Sequence, residues 1–214
     1  MSCEYKLMRW VMRISLVLAI LFGATSLAVA QPEKAAPQPR FGVAPNLAGY
    51  PQSNVKDALN SAIRAIEREK YDYLAAHLLD AKFVDARVAD RAKLLETSVD
   101  QELRIVRENQ RKDSNVPLRE QLPSDPSLFT DVVKEEARNR AFKFVIKDIR
   151  QHLTEHPEYL KDFKRFLRDG QFTDAGDTAN ATLKDLKDKQ LNFKKVAARW
   201  YVEDRQGIEQ PEKK

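Results

Sequence analysis

GDTANATLKDLKDKQLNFKKVAARWYVED, Gly176 to Asp204, is the one stretch of this chain with clear strand grammar. Ala179, Ala181 and Leu183 alternate with Thr178, Asn180 and Thr182, the period of a half-buried strand. The polar run Lys184 to Lys189 reads as a turn. Leu191 and Phe193 restart the alternation, but Trp200 and Val202 continue it on the other parity. One continuous strand would therefore send Phe193 and Trp200 to opposite faces. A two-residue turn at Ala197-Ala198 removes the conflict. It sets Val196 opposite Arg199, Lys195 opposite Trp200 and Phe193 opposite Val202, and returns Leu191, Phe193, Trp200 and Val202 to one face. Tight hairpins favour Gly or Asn, so Ala-Ala is unusual turn chemistry. The expected product is a three-stranded antiparallel meander over 178–184, 190–196 and 199–205. With a single apolar face it needs helices to cover it.

The upstream chain reads as those helices. Ser53 or Asn54 caps a first one, with Val55, Leu59, Ala62, Ile63 and Ile66 at helical spacing. After the solvated break Glu67-Arg68-Glu69-Lys70, a short second helix holds Tyr71, Leu74, Leu78 and Leu79. A long helix from Arg87 to Arg111 presents Leu95, Val99, Leu103 and Val106 on one face. A polar loop with Pro117, Pro123 and Pro126 leads to a second long helix, about Leu128 to Leu153, through Val132, Ala137, Ala141, Val145 and Ile149. Pro157 opens a last helix with Leu160, Phe163 and Leu167, which Gly170 stops. The expected fold class is α+β: one helix-rich domain, 53–206, with a C-terminal meander packed against helices and a polar tail at 207–214.

The N-terminus has the form of a secretory signal over 1–30. Lys6, Arg9 and Arg13 precede the apolar run Ile14 to Phe22, and Ala28-Val29-Ala30 offers a small-residue cleavage site. The apolar run is short for a membrane span, which needs about 20 residues, so the uncleaved anchor is the second choice and no stable anchor is expected after cleavage. Export places the protein in the periplasm or outside the cell. The single cysteine, Cys3, falls within the signal, so no disulfide is expected and stability must come from the core. The formal charge is +5, and the signal holds three basic residues and one acidic, leaving +3 for the remainder. Residues 31–52, with Pro32, Pro37, Pro39, Pro45 and Pro51, read as an extended, mostly disordered spacer. Phe41 and Val43 are the residues in it that could dock.

Two stretches carry a resemblance. VKDALNSAIRAIEREKYDYLAAHLLD, Val55 to Asp80, resembles the opening helices of nuclear-transport-factor-2-like domains, which include polyketide-cyclase-like pockets. Gly176 to Asp204 resembles their closing strands, with Arg199-Trp200-Tyr201-Val202-Glu203-Asp204 at the end. The helices between 87 and 153 depart from that family. The resemblance implies a pocket between the opening helices and the sheet, and its candidate lining here is Tyr73, His77, Phe83, Trp200 and Val202. It includes no catalytic motif.

Several chemistries are disfavoured by the residues themselves. There is no G-x-S-x-G, no cysteine outside the signal, and no glycine-rich phosphate loop among only six glycines. His152-Leu153-Thr154-Glu155-His156 matches the H-x-x-E-H pattern of zinc peptidases. His156 precedes Pro157, however, a position biased away from helix, which breaks the two-ligand geometry, so no metal and no cofactor is expected. Lys161, Lys164, Arg165 and Arg168 lie near Phe163 and Phe166, but at helical spacing they form a solvated face beside a buried stripe of Phe163 and Leu167. Nucleic acid is therefore not an expected partner. Asn180-Ala181-Thr182 is a glycosylation sequon. The functional expectation is an exported, non-catalytic domain that binds a small apolar ligand or a protein partner. The alternatives are a polyketide-cyclase-like enzyme with His77 as base, and a helical scaffold or adaptor at the cell envelope.

Overall fold

The computed structural model describes residues 38–112, 117 and 121–203. The signal at 1–30 and the tail at 207–214 lie outside the described residues. Helix α1 spans Val55–Glu67 and starts where the sequence places it. The Asn54 side chain accepts from the Asp57 backbone N–H at 2.8 Å, which satisfies one of the first-turn donors a helix leaves unpaired. A short α2, Tyr71–Tyr73, widens at once into a π turn, Leu74–Leu78, closed by the Leu79 N–H on the Leu74 carbonyl at 3.0 Å. Helix α3, Ala81–Lys112, begins six residues earlier than the apolar periodicity suggests, and α4 spans Pro126–Glu155. Asp125 caps α4 by accepting from the N–H groups of Ser127 (2.8 Å) and Leu128 (3.2 Å), with Pro126 at the first helical position. Helix α5, Glu158–Asp169, ends at Gly170, where a Cβ would stand 2.3 Å from the Phe166 carbonyl oxygen. Any side chain there would force the helix end to shift.

The sheet has four antiparallel strands in sequence order, one more than the sequence reading: β1 Gln171–Asp174, β2 Thr178–Leu183, β3 Leu186–Val196 and β4 Arg199–Val202. β1 is an edge strand with one apolar side chain, Phe172, so it shows no alternation to read. The polar run after Leu183 is mostly strand: the turn itself is Lys184-Asp185, and β3 absorbs the mismatch as a bulge between the pairs Thr182↔Gln190 and Leu183↔Leu186. The β3–β4 register pairs Phe193 with Val202, Lys195 with Trp200 and Val196 with Arg199, as the parity argument requires. Ala197 (φ 48°) and Ala198 (φ 64°) hold the left-handed conformations of a tight hairpin turn.

Two clusters make the core. The first lies between the sheet, α1, α2 and α5: Leu59, Phe166 and Phe193 are fully enclosed, and Leu191, Trp200 and Val202 join them. Phe166, not Phe163 or Leu167, is the deepest side chain of α5; the other two pack at its flanks because the stripe is centred one residue earlier than Leu167. The second cluster is the seam of the α3–α4 hairpin, with Val84, Val88, Ala92 and Val99 against Phe129, Val133, Ala137, Ala141, Phe142 and Val145. Bidentate Arg140–Glu102 contacts (2.6 and 3.1 Å) and an Arg91–Asp148 pair staple the two helices along their surface.

Tyr201 points to the opposite face from Trp200 yet is also buried, with the Arg199 guanidinium 5.6 Å from its ring centroid. β4 is therefore closed on both faces, and its outer edge is closed too: the Asp80 N–H donates to the Val202 carbonyl at 2.9 Å.

The Ala-Ala turn is the least comfortable backbone in the sheet. A left-handed conformation costs a non-glycine residue about 1–2 kcal/mol. The double change Ala197→Asn, Ala198→Gly is expected to stabilise the protein by about 1 kcal/mol or more in urea denaturation. A loss of stability would mean that the turn is not of this type.

Candidate functional site

The residues that the resemblance gathers into a pocket sit in three places. Trp200 and Val202 are on β4 and belong to the sheet–helix core. Tyr73 belongs to the same cluster at the end of α2, whereas Phe83, on the first turn of α3, packs against the hairpin cluster with the Arg87 guanidinium 4.6 Å from its ring. His77 stands between them in the π turn, 3 % exposed.

Over Tyr73 and His77 runs the second half of the proline-rich stretch. Residues 38–52, which composition assigns to a spacer, form a strap laid against the domain. Arg40 and Val43 bridge each other around a turn, with Phe41 at φ 52° and Gly42 at φ 77°. Phe41 stacks on Phe142 of α4 at 4.2 Å. The Arg40 guanidinium donates to the Ala76 carbonyl at 2.5 Å and pairs with Asp85 at 2.8 Å. Tyr50 stacks on Tyr73 at 4.4 Å, and the Tyr73 hydroxyl accepts from the Asn46 N–H at 3.0 Å. The signal that could have revealed this docking is the set FGVAPNLAGY, whose aromatics and Val43 a solvated linker does not need.

His77 is held by this strap. Its Nε2 lies 2.8 Å from the Val43 carbonyl oxygen, and because a carbonyl only accepts, that nitrogen carries the proton. Burial pushes the imidazole below its ordinary value of 6.5, partly countered by the bond to Val43, while Arg40 and Arg199 push it further down. Tyr73, 5.0 Å away, is pushed up by burial. The imidazole is thus neutral, enclosed and committed as a donor to the backbone.

Gln52 is the residue that sequence reasoning missed altogether. It is 3 % exposed, and its Nε2 donates to the carbonyls of His77 and Trp200, each at 2.9 Å. Its backbone carbonyl accepts from the Trp200 N–H at 3.0 Å, while the side-chain Oε1 is buried without a partner among the described residues. Strap, π turn and β4 meet on this one residue.

His156 caps α4 in a non-helical conformation and binds Glu158 at 3.0 Å through Nδ1, while the Glu155 carboxylate accepts from Gln151. Among the described residues no group of three or more His, Cys, Asp or Glu is placed to hold a metal ion. The basic groups of α5 face acids: Lys164 meets Glu67 at 2.6 Å, Arg168 meets Asp169 at 2.7 Å, and Arg165 meets Asp185. An open depression of about 330 Å³ lies beside the strap, lined by Phe41, Gly42, Glu135, Glu136, Asn139, Phe142 and Lys143. Compared with known families, curated proteins and solved structures, the chain matches none.

The buried His77 gives a pH test with a definite sign. Its native pKa is below the unfolded one, so the unfolded chain binds the proton first, and stability present above pH 6.5 is lost as pH falls below it. His77→Gln keeps a donor for the Val43 carbonyl and removes the titration. Between neutral pH and pH of about 5, wild type should lose stability faster than His77→Gln in paired urea titrations. Parallel curves would show that His77 does not titrate across unfolding.

Proposed function

We propose that this is an exported, non-catalytic binding domain that engages a protein partner along its α3–α4 hairpin. Export rests on the signal grammar of 1–30. The non-catalytic reading is supported by His77, the one candidate base, whose Nε2 is spent on the Val43 carbonyl beneath the strap. The space between α1, α5 and the sheet is filled by Leu59, Phe166 and Phe193, which favours a protein partner over a small apolar ligand.

The observation that carries the reading is the outer side of α3. The helix is about 48 Å long at 1.5 Å per residue, and α4 is its main packing partner. Leu94 is 82 % exposed and Ile105 is 62 % exposed. At 3.6 residues per turn they lie on one side of α3, three turns apart, with the uncharged Ser98 and Gln101 between them and well away from the seam of Val88 and Val99. We read these two aliphatic side chains, held in water about 16 Å apart on an otherwise charged helix, as the anchors of an interaction surface. Neither α3 nor α4, nor any other helix of the described residues, is long and apolar enough to cross a membrane.

The test is co-purification from the envelope fraction of the producing cell, with the N-terminus sequenced in the same sample. The reading expects a chain beginning at Gln31 and a partner that is lost from Leu94→Asp, Ile105→Asp. The double variant should unfold within about 0.5 kcal/mol of wild type, as surface changes do. An intact N-terminus in the cytoplasm, or a partner retained by the variant, would overturn it.

A further inference from the structure

We propose that the solvent face of the sheet binds an extended, uncharged polysaccharide, through a grid of amide and hydroxyl side chains on β1, β2 and β3. The ladder register assembles the grid. One row is Gln171, Thr182 and Gln190, the next is Thr173, Asn180 and Asn192, and Thr178 opens a third beside Lys194. The alternate residues Phe172, Ala179, Ala181, Leu191 and Phe193 point the other way, into the core beneath α1 and α5. Gln171, Thr173 and Thr178 are exposed, and Asn180, Thr182, Gln190 and Asn192 are half-buried.

Seven outward-facing side chains from three strands are thus all neutral and all polar. In a chain in which 32 % of residues are charged, a solvated sheet face would be expected to carry Lys and Glu. Among the described side chains the charges resume at the margins: at Lys184 and Asp185 in the turn, at Lys194 in the third row, and at Glu203, whose N–H donates to the Asn192 carbonyl at the β4 end of the second.

That chemistry selects the class of ligand. A nucleic acid or other polyanion is held by cations, which rows one and two lack. A protein or lipid surface calls for apolar anchors, and the apolar side chains of these strands face inward except Val196, at the far end of β3 beyond Lys194. Amides and hydroxyls both donate and accept, so they match a polymer whose every unit carries hydroxyls. Neighbouring strands set these groups about 4.8 Å apart, and alternate residues along a strand set them about 6.7 Å apart, a two-dimensional array suited to a long flat chain. Gln190 and Asn192 already bond to each other (Nε2 to Oδ1, 2.5 Å), which orients both amides before any ligand arrives. A face without charge also predicts binding that salt does not screen. This surface is separate from α3, so the inference stands or falls independently of the hairpin; only its setting outside the cell rests on the export reading.

The experiment is retention of the full purified chain on chitin and on cellulose, both insoluble and uncharged, with dextran sulfate beads as the charged control. Retention on at least one uncharged polymer is expected, equal at about 0.05 M and about 0.5 M salt. Asn180→Ala, Gln190→Ala should weaken it about tenfold or more, through loss of hydrogen bonds that the polymer cannot replace. Gln171→Ala, Thr173→Ala, on the exposed edge strand, gives a second variant that leaves the central ladder pairs untouched, and it should weaken retention as well. Thermal unfolding checks that each variant is folded. No retention on either uncharged polymer overturns the proposal. So does retention that salt abolishes, that occurs only on dextran sulfate, or that a folded variant keeps in full. A face that instead pairs two copies of the chain would show as a dimer dissolved by the same variants without polymer binding, and that also overturns it.

Discussion

The Gln52 carboxamide is the interaction on which the arrangement depends. β4 ends the sheet, and an edge strand presents a row of unpaired backbone groups. Here the edge is enclosed, so its groups must find partners inside the protein. Gln52 supplies two of them at Trp200, its backbone carbonyl accepting from the N–H and its carboxamide Nε2 donating to the carbonyl, and the second Nε2 hydrogen satisfies the His77 carbonyl. The π turn needs that help, because its wider winding leaves the backbone around His77 out of the ordinary helical ladder. Asp80 continues the edge by donating to Val202. With the edge closed, the strap can lie across it, and Tyr50, Arg40 and Phe41 fix the strap to α2, the π turn and α4 in turn.

The clamp also explains how two cores become one domain. The first cluster gathers at the sheet and the second along the hairpin, and Val43, Leu79 and Ile149 pack against both. These contacts come from the strap, from the residue that follows the π turn and from the C-terminal part of α4. The hairpin is thus seated at one end, and its distal half is held by its own seam and by Phe129, over which Arg107 lies at 4.0 Å. A rigid base with a long projecting hairpin suits a binding domain. The neutral sheet face lies on the far side of the core from α1 and α5, free of either.

What the sequence discloses follows the strength of its periodicities. The switch of parity between Phe193 and Trp200 was enough to place a turn at two alanines that no turn preference would select, because burying both residues outweighs the backbone cost of about 1–2 kcal/mol each. The long helices are legible for the same reason, through Val99 and Leu103 and through Ala137, Ala141 and Val145, although the seam takes Val133 in place of Val132 and leaves Val106 exposed. β1 is not legible, because an edge strand with only Phe172 to bury has no alternation. Phe166 is missed because α5 carries Leu160, Phe163, Phe166 and Leu167 around more than a third of its circumference, and position alone does not say which one the core sits against. The strap is the instructive case. Its prolines describe a chain that forms no helix or sheet, which is true of 44–52, but lack of regular structure is not lack of packing. Of the candidate pocket residues, Tyr73, Trp200 and Val202 share a cluster because each follows a strong pattern, whereas Gln52 has no pattern at all: its side chain's role comes from two backbone carbonyls that only the folded chain brings together.

Gln52→Met tests this directly, since it keeps the length and most of the volume of the side chain and removes both Nε2 hydrogen bonds while leaving the backbone bond to the Trp200 N–H. Leaving a buried carbonyl without its donor costs about 1–3 kcal/mol. Two readouts are needed on the same protein: urea unfolding, and the rate at which trypsin cuts after Arg40 under native conditions. The account predicts a loss of about 1–3 kcal/mol or more together with faster cleavage of the strap. A variant that unfolds with wild type and protects Arg40 equally well would show that the strap, the π turn and β4 are held together by something other than Gln52.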